Sequence, residues 1–319
     1  MALQYSSSPH VRSNNSTKGI MINVSIALLP AVIMGIVYFG YLALLNVLVA
    51  VVFALSSEIV YRKIFGENFK QIFATLDYSS LVTGLIIALI IPASLHLYIP
   101  ALASIFAIVV CKMLFGGTGQ NFVNPAAAGR IFAFVSFTTI MNTFISPSIG
   151  AINNTVITGA TSLQSFLTDG TSLSVIDLFL GTGVAGCIGE TCKVAILVGA
   201  IYLAIKGIIK IWLPILSLIS AGIIAVLLND FNFGVFLPAI LSGGLIFGAF
   251  FMATDYVTNP TTTLGNIIFF VGFGILTSLL RHFTKYETAS FVILLMNILV
   301  PLIDKIPYRK PFGYQKETK

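Results

Sequence analysis

Charged residues and cysteines are scarce in this sequence. Only 9% of its 319 residues are Asp, Glu, Lys or Arg, whereas soluble domains carry roughly 25%. The three cysteines, Cys111, Cys187 and Cys192, have neither a metal-binding spacing nor that of a disulfide framework. The scarcity of charge excludes a soluble protein. We also predict no metal site, and the sequence pattern shows no catalytic triad and no carboxylate pair.

The placement of the polar residues argues against two further classes. The formal net charge is +6, but lysines and arginines are scattered between apolar segments, whereas a nucleic-acid surface clusters them on one face. Residues 1–19 are polar and lack the short apolar core of a cleavable signal peptide. We therefore expect no nucleic-acid partner, and we interpret the apolar segment from Ile20 as a retained helix.

Hydrophobic residues make up 57% of the chain and form long segments. A transmembrane helix needs roughly 20 apolar residues. Ten segments predict spans: 20–39, 41–60, 79–94, 97–115, 126–146, 191–206, 211–228, 235–253, 263–280 and 288–303. The sequence thus predicts an all-α integral membrane protein surrounded by the lipid bilayer. Its parts are a cytoplasmic segment 1–19, a polytopic membrane domain 20–303 and a cytoplasmic tail 304–319.

The basic residues predict the orientation of these spans. With a cytoplasmic N-terminus and ten alternating spans, only Lys193, Arg281 and Lys285 of the 17 basic residues fall outside. Positive residues concentrate on the cytoplasmic side of membrane proteins, so we predict that both termini are cytoplasmic. The loop 147–190 has no lysine or arginine and then lies outside. Long loops are often functional, so it is either an ordered external site or a slack linker.

A weak internal similarity relates segments 81–87 and 241–247, each in the third span of its half. Five spans per half would give two inverted five-helix repeats, a plan common in transporters. Apolar sequences match one another easily, and the two Asn-Pro segments described next follow the fourth and eighth spans. The position of the Asn-Pro segments does not fit a five-helix repeat. The chain therefore either consists of two inverted repeats or resembles itself by chance, and both interpretations stay open.

Two polar segments, 115–125 and 253–263, interrupt the apolar pattern, and each contains Val followed by Asn-Pro. Glycine lets backbone approach a ligand closely, and proline opens a helix. We interpret these segments either as broken helices around a cofactor or ion path, or as ordinary cytoplasmic turns. Under the first interpretation Gly117, Asn124 and Asp255 are candidate binding residues.

The predicted outer loop contains two further segments. Residues 158–163 read Thr-Gly-Ala-Thr-Ser-Leu, a flexible, hydroxyl-rich turn without a neighbouring base to activate a hydroxyl. The glycine-rich segment 180–191 matches neither the dinucleotide nor the P-loop fingerprint. Its Glu190 suits the start of a helix, where the dipole favours a carboxylate. By chemistry alone both are ordinary loop segments.

Several motifs along the chain together resemble one family. They are Ser8-Pro9-His10-Val11-Arg12, Gly116-Gly117-Thr118-Gly119 with Asn124-Pro125-Ala126, Thr158-Gly159-Ala160-Thr161, Gly189-Glu190-Thr191, Met252-Ala253-Thr254-Asp255 with Asn259-Pro260, Arg281-His282-Phe283 and Leu294-Leu295-Met296-Asn297. Over nearly its whole length the chain is similar to the D subunit of the Rnf electron-transport complex and to the related B subunit of the sodium-pumping NADH:quinone reductase.

The resemblance implies a covalent flavin. In the family, flavin mononucleotide (FMN) forms a phosphoester with the last Thr of a Ser/Thr-Gly-Ala-Thr motif, which here is Thr161. Thr158, Gly159, Ala160 and Ser162 would surround the bond. A tethered phosphate would need no lysine, in agreement with the loop lacking basic residues. The family usually has an Asp shortly before the motif, where residues 153–157 read Asn-Asn-Thr-Val-Ile. Some relatives also bind riboflavin, whose position here the sequence leaves open.

The resemblance also implies a function. The chain would be one component, without a complete active site of its own, of a ferredoxin:NAD oxidoreductase in the bacterial plasma membrane. Its flavin would relay single electrons near the outer face, coupled to Na⁺ or H⁺ export. The implied partners are the other membrane and peripheral Rnf subunits and a flavin-attaching enzyme. The main alternative is a redox-inactive solute channel or transporter with a urea-channel-like fold; an anchoring subunit is a weaker one.

Overall fold

The fold is a bundle of helices, as the sequence predicts. The computed structural model describes residues 16–147, 161, 163 and 174–306. Within these residues all regular elements are helical, and two isolated β-bridges pair Pro92 with Cys187 and Thr161 with Ala185. The segments 1–15, 148–160, 162, 164–173 and 307–319 lie outside the described residues, and with them Thr158, Gly159, Ala160 and Ser162.

Fourteen α-helices follow one another in the described parts of the chain. They are α1 (Thr17–Phe39), α2 (Tyr41–Ile64), α3 (Phe69–Thr75), α4 (Ser79–Leu89), α5 (Tyr98–Ile105), α6 (Pro125–Ser136), α7 (Thr138–Met141), α8 (Val175–Leu180), α9 (Lys193–Ile205), α10 (Trp212–Leu228), α11 (Phe236–Leu241), α12 (Leu245–Phe247), α13 (Thr263–Thr284) and α14 (Ala289–Ile303). The π-helical turns Phe106–Val110 and Gly248–Met252 extend α5 and α12.

Four helical segments are long and apolar enough to cross a bilayer on their own: 17–39, 41–64, 98–115 and 263–284. Two bent pairs raise this number to six if each forms one span: α3 with α4, bent by 71°, and 233–241 with 245–252, bent by 67°. The helices α9, α10 and α14 are apolar but shorter. Each predicted span contains helix, so the all-α membrane class is confirmed. The count of ten and the inverted repeat stay predictions.

The structure divides two segments that we predicted as continuous spans. Segment 126–146 breaks at Phe137, between α6 and α7. Segment 235–253 breaks between α11 and α12, where Gly243 has a φ of +67°, a conformation that glycine adopts without steric cost. Unwound backbone at membrane depth is tolerated only where it is buried in protein or lines a cavity. The breaks therefore mark the regions in which a site can be built.

Small residues allow the helices to approach one another closely. A Cβ atom on Gly199 of α9 would overlap the carbonyl oxygen of Ala27 on α1. On α13, a Cβ atom on Gly274 would overlap the carbonyl oxygen of Ser217 on α10. Lipid tails are as apolar as the side chains, so close packing is what holds membrane helices together.

Replacement of Gly199 tests this packing. We expect Gly199→Ala to destabilise the chain by ~1–3 kcal/mol, because the added methyl group overlaps a backbone oxygen and forces α1 and α9 apart. The measurement is thermal unfolding in detergent. Gly248→Ala is the matched control, since its Cβ would make ordinary contacts, the nearest at 3.4 Å to Ala289. Equal melting temperatures for the two variants would contradict the close crossing.

Candidate functional site

Among the cavities in the described part of the chain, two lie at opposite ends of the bundle, and we name them inner and outer after the predicted orientation. The inner cavity, of about 90 Å³, lies at the N-terminal end of α1 beside Ile20 and at the C-terminal end of α9 beside Leu203. The outer cavity, of about 140 Å³, includes Thr161 and Gly243. Helix α9 connects the two ends, because Lys193 at its other end donates a hydrogen bond of 3.1 Å to the carbonyl of Gly243.

Both Asn-Pro segments line the inner cavity. The first contributes Thr118, Asn121 and Asn124, and the second contributes 254–257. The side chain of Asn124 caps α6 by accepting hydrogen bonds from the first N–H groups of that helix, at 3.0 and 3.2 Å. Pro125 takes the first helical position, where a missing N–H costs nothing. The motif therefore begins a helix inside the protein.

An amide network joins the two segments. The backbone N–H of Asn124 donates to the side chain of Asn297 on α14, and its side-chain amide donates to the carbonyl of Met252, both at 3.0 Å. Asn297 in turn donates to the carbonyl of Thr258 at 3.1 Å. Asp255 accepts from the hydroxyl of Thr258 at 3.2 Å. Of our two interpretations, this geometry supports a pair of broken helices around a cavity.

A buried ion pair stands at the wall of the inner cavity. Lys112, which is 3% exposed, lies 3.4 Å from the carboxylate of Glu58 on α2. Its ammonium also donates to the hydroxyls of Ser79 and Ser80, at 2.5 and 2.9 Å, and Ser80 donates to Glu58. A buried charge is tolerated when it is paired and hydrogen-bonded, so this group fixes α2, α4 and the segment after the π-turn relative to one another.

The outer cavity brings Thr161 among charged side chains. Thr161 is half-buried and forms its β-bridge with Ala185 in the glycine-rich segment. Arg130, Glu190 and Glu287 line the same cavity. The chemistry of this cavity therefore depends on side chains from distant parts of the sequence.

Two carboxylates approach Gly244 at the break between α11 and α12. Glu287 accepts from the N–H of Gly244 at 2.9 Å and pairs with Arg281 at 2.7 Å. A Cβ on Gly244 would stand 2.7 Å from a carboxylate oxygen of Glu190, so Glu190 would have to shift to admit a side chain at this position. The sequence pattern had shown no carboxylate pair, because Glu190 and Glu287 are far apart in the chain and only the fold brings them together.

Two other sequence expectations are corrected at this end. Helix α9 begins at Lys193 with Cys192 as its N-cap, so Glu190 does not occupy the helix start. Its carboxylate instead accepts from the N–H of Cys187 at 2.9 Å and closes a turn. The charge count placed Arg130 and Thr161 on opposite sides of the membrane, but the two residues line one cavity.

The short helix α8 lies beside the outer end. Its last residue, Leu180, accepts a hydrogen bond of 2.8 Å from the hydroxyl of Tyr38, at the C-terminal end of α1. Asp177 on α8 accepts hydrogen bonds from the hydroxyls of Ser174 and Thr182 at 2.6 and 2.8 Å. These bonds, chiefly that from Ser174, hold the pKa of Asp177 below its ordinary value. Its carboxylate therefore stays ionised at neutral pH.

The candidate residues thus separate into two groups. Thr161 and Glu190 meet at the outer cavity, whereas Asn124 and Asp255 meet at the inner one. Gly117 lines neither cavity but forms a turn in the first Asn-Pro segment, its N–H donating to the carbonyl of Lys112 at 3.1 Å. Among the described residues no group of three His, Cys, Asp or Glu could hold a metal ion.

Sequence reasoning missed several residues that build these ends. They are Ser79, Lys112 and Asn297 at the inner end, and Arg130, Lys193, Arg281 and Glu287 at the outer end. A signal for the basic ones was available, because they lie in or beside apolar segments. A charge at a helix centre costs at least about 2.5–3.5 kcal/mol, so each such residue indicates a partner or a ligand.

Fold and site define a class, that of polytopic helical membrane proteins whose broken helices enclose buried polar sites. The chain belongs to the NQR2, RnfD, RnfE family, which matches residues 4–313. It is 39% identical to the D subunit of the Na⁺-translocating ferredoxin:NAD⁺ oxidoreductase complex of Acetobacterium woodii, over 99% of this chain and 97% of the relative.

Two further relatives match over similar lengths. The D subunit of the proton-translocating ferredoxin:NAD⁺ oxidoreductase complex of Clostridium ljungdahlii is 36% identical, over 98% of this chain and 96% of the relative. The D subunit of the ion-translocating oxidoreductase complex of Alcanivorax borkumensis is 32% identical, over 100% and 99%. The predicted resemblance to the D subunit of Rnf complexes is therefore confirmed.

The ion pair of Arg281 with Glu287 at the outer end should contribute measurably to the free energy of unfolding. We expect Arg281→Met to destabilise the chain by ~3–5 kcal/mol, because Glu287 is left without its counter-ion in a largely buried site. The double variant Arg281→Met with Glu287→Leu should recover much of this loss. Thermal unfolding in detergent measures both. A double variant no more stable than Arg281→Met alone would contradict the pairing.

Proposed function

We propose that this chain is a membrane subunit of an ion-translocating ferredoxin:NAD oxidoreductase complex in the bacterial plasma membrane. In this proposal it carries FMN on Thr161 and relays single electrons near the outer face. The full-length similarity to subunits with that activity in their names supports the assignment to the complex. The observation that carries the flavin proposal is that Thr161 lines one cavity with the charged side chains of Arg130, Glu190 and Glu287.

The outer cavity fits the phosphate of FMN. Two cations, Arg130 and Lys285, line the cavity. A third, Arg281, is paired with the lining residue Glu287. The Nε atom of Arg281 is buried without a hydrogen-bond partner among the described residues, although most buried polar atoms have one. Cationic N–H donors suit phosphate oxygens, so Thr161 would hold the group covalently and these side chains would surround it.

Bound FMN would supply one-electron redox chemistry, while the chain's own residues bind and orient the group. The flavin-attaching enzyme would be a separate protein, and the nicotinamide and iron–sulfur sites would lie on other subunits. The coupled ion would be Na⁺ or H⁺, since relatives of 39% and 36% identity carry different ions in their names. A second, non-covalent riboflavin stays a prediction without an assigned position.

The alternative function, a redox-inactive solute channel or transporter, has one observation in its favour. The two cavities lie at opposite ends of the bundle, with buried aromatic side chains such as Phe247 in the core. A solute pathway could join such cavities. In that case Thr161 would carry no flavin, so the test of the attachment also separates the two functions.

Replacement of Thr161 tests the flavin attachment. We expect the chain, produced in a host with an active flavin-attaching enzyme, to give a band that fluoresces under ultraviolet light on a denaturing gel. The fluorescence should be lost in Thr161→Ala, because the ester needs the hydroxyl. Thr171→Ala is the control, since Thr171 lies in the same loop outside the motif. A dark band from the unaltered chain would favour the channel.

Reporter fusions test the proposed orientation. Green fluorescent protein fused after Lys319 should fluoresce, and alkaline phosphatase fused there should be inactive, because both termini are proposed to be cytoplasmic. The same reporters inserted after Thr171 should give the reverse result. Phosphatase activity at the C-terminus would overturn the topology and would move Thr161 to the cytoplasmic side.

A further inference from the structure

Two cations at the outer end are buried without a carboxylate partner. Arg130 is 7% exposed and Lys193 is 3% exposed. Among the described residues neither has a carboxylate within ion-pair distance, and Lys193 donates only to the backbone carbonyls of Glu190 and Gly243. Buried charges are normally paired, because removing them from water costs several kcal/mol per ion. Glu287 lies near Arg130 but beyond ion-pair distance and is already paired with Arg281, so the positive charge at this end is only partly balanced among the described residues.

The charge balance among the described residues of the outer end gives the sign of the missing group. Three buried cations, Arg130, Lys193 and Arg281, gather there against two carboxylates, Glu190 and Glu287. Lys285 and Asp177, nearer the surface, add one charge of each sign. The single ion pair among them joins Arg281 to Glu287 within the described part of the chain. An anion in the outer cavity would compensate the excess.

Two hydrogen bonds to described residues fix the side chain of Arg130 in place. Its Nε donates to the carbonyl of Ile90 at 2.9 Å, and one Nη donates to the hydroxyl of Ser290 at 3.1 Å. A guanidinium has five N–H donors in a rigid fork. These two bonds tie α6 to the end of α4 and to α14, and they leave three N–H groups in a side chain that lines the cavity of Thr161.

We propose that Arg130 is the ion partner of the phosphodiester that links the flavin to Thr161. This inference rests on the proposed function. A phosphate esterified on both sides keeps one negative charge, and arginine binds phosphate oxygens with two N–H groups at once. The sequence analysis explained the lack of basic residues in the outer loop by a tethered phosphate that needs no cation, and this inference replaces that explanation. The phosphate does have a cationic partner, but α6 supplies it.

A double-mutant cycle tests the pairing through stability. The melting temperature is measured in detergent for the chain, Arg130→Met, Thr161→Ala and the double variant, all produced with the attaching enzyme. We expect Arg130→Met to lower the melting temperature by several degrees more in the flavin-bearing chain than in the Thr161→Ala background. The reason is that only the former loses an ion pair, while both lose the bonds to Ile90 and Ser290.

Lys112→Met is the matched control, because Lys112 is a buried cation at the inner cavity. Lys112→Met should lower the melting temperature equally in the flavin-bearing chain and in the Thr161→Ala background. Arg130→Lys should keep part of the coupling, since the charge remains but the fork is lost. If Arg130→Met does not accumulate, Arg130→Gln, which keeps an N–H donor, takes its place in the cycle.

The outcomes separate this inference from the function on which it rests. Flavin loading is measured in each sample as flavin absorbance per mole of protein. A loaded chain in which Arg130→Met causes equal shifts in both backgrounds would show that Arg130 only holds helices together. That result would overturn the inference and leave the proposed function standing. An unaltered chain without flavin would overturn both.

Discussion

The pairing of buried charges is the constraint on which this structure depends. In an apolar bundle an uncompensated charge is costly, and a matched pair is strongly held. The pair of Arg281 with Glu287 stands beside the outer cavity, and that of Lys112 with Glu58 stands beside the inner one. The first pair closes the turn between α13 and α14, and the second joins segments 54 residues apart. The paired charges thus hold parts of the cavity walls together.

The broken helices follow from the same constraint applied to the backbone. Each unwound segment must satisfy its N–H and C=O groups without water. Asn124 and Asn297 do this at the inner end by bonding to backbone groups on both Asn-Pro segments. Glu287 does it at the outer end by accepting from the N–H of Gly244. The side chains that satisfy the broken backbone also define the polar cavity walls.

The sequence predicted what local pattern determines. Apolar segments of nearly constant length predicted the helices and the membrane class, and the motifs around Asn124 and Thr161 predicted the family. Partners that meet only in the fold were missed. Glu190 was interpreted from its neighbours as a helix start, although its environment depends on Gly244 and Glu287. Arg130 was counted on the opposite side of the membrane from Thr161, because a linear charge count does not show how far a helix carries a side chain.

The proposed relay connects these features, because a flavin on Thr161 would place an anionic link where Arg130 and its neighbours concentrate positive charge. Mass spectrometry of the peptide that contains Thr161, isolated from the native complex, tests this account most directly. The account predicts a peptide heavier by FMN less one water, with fragment ions that assign the addition to Thr161. A peptide of unmodified mass would contradict it and would leave the bundle without its electron carrier.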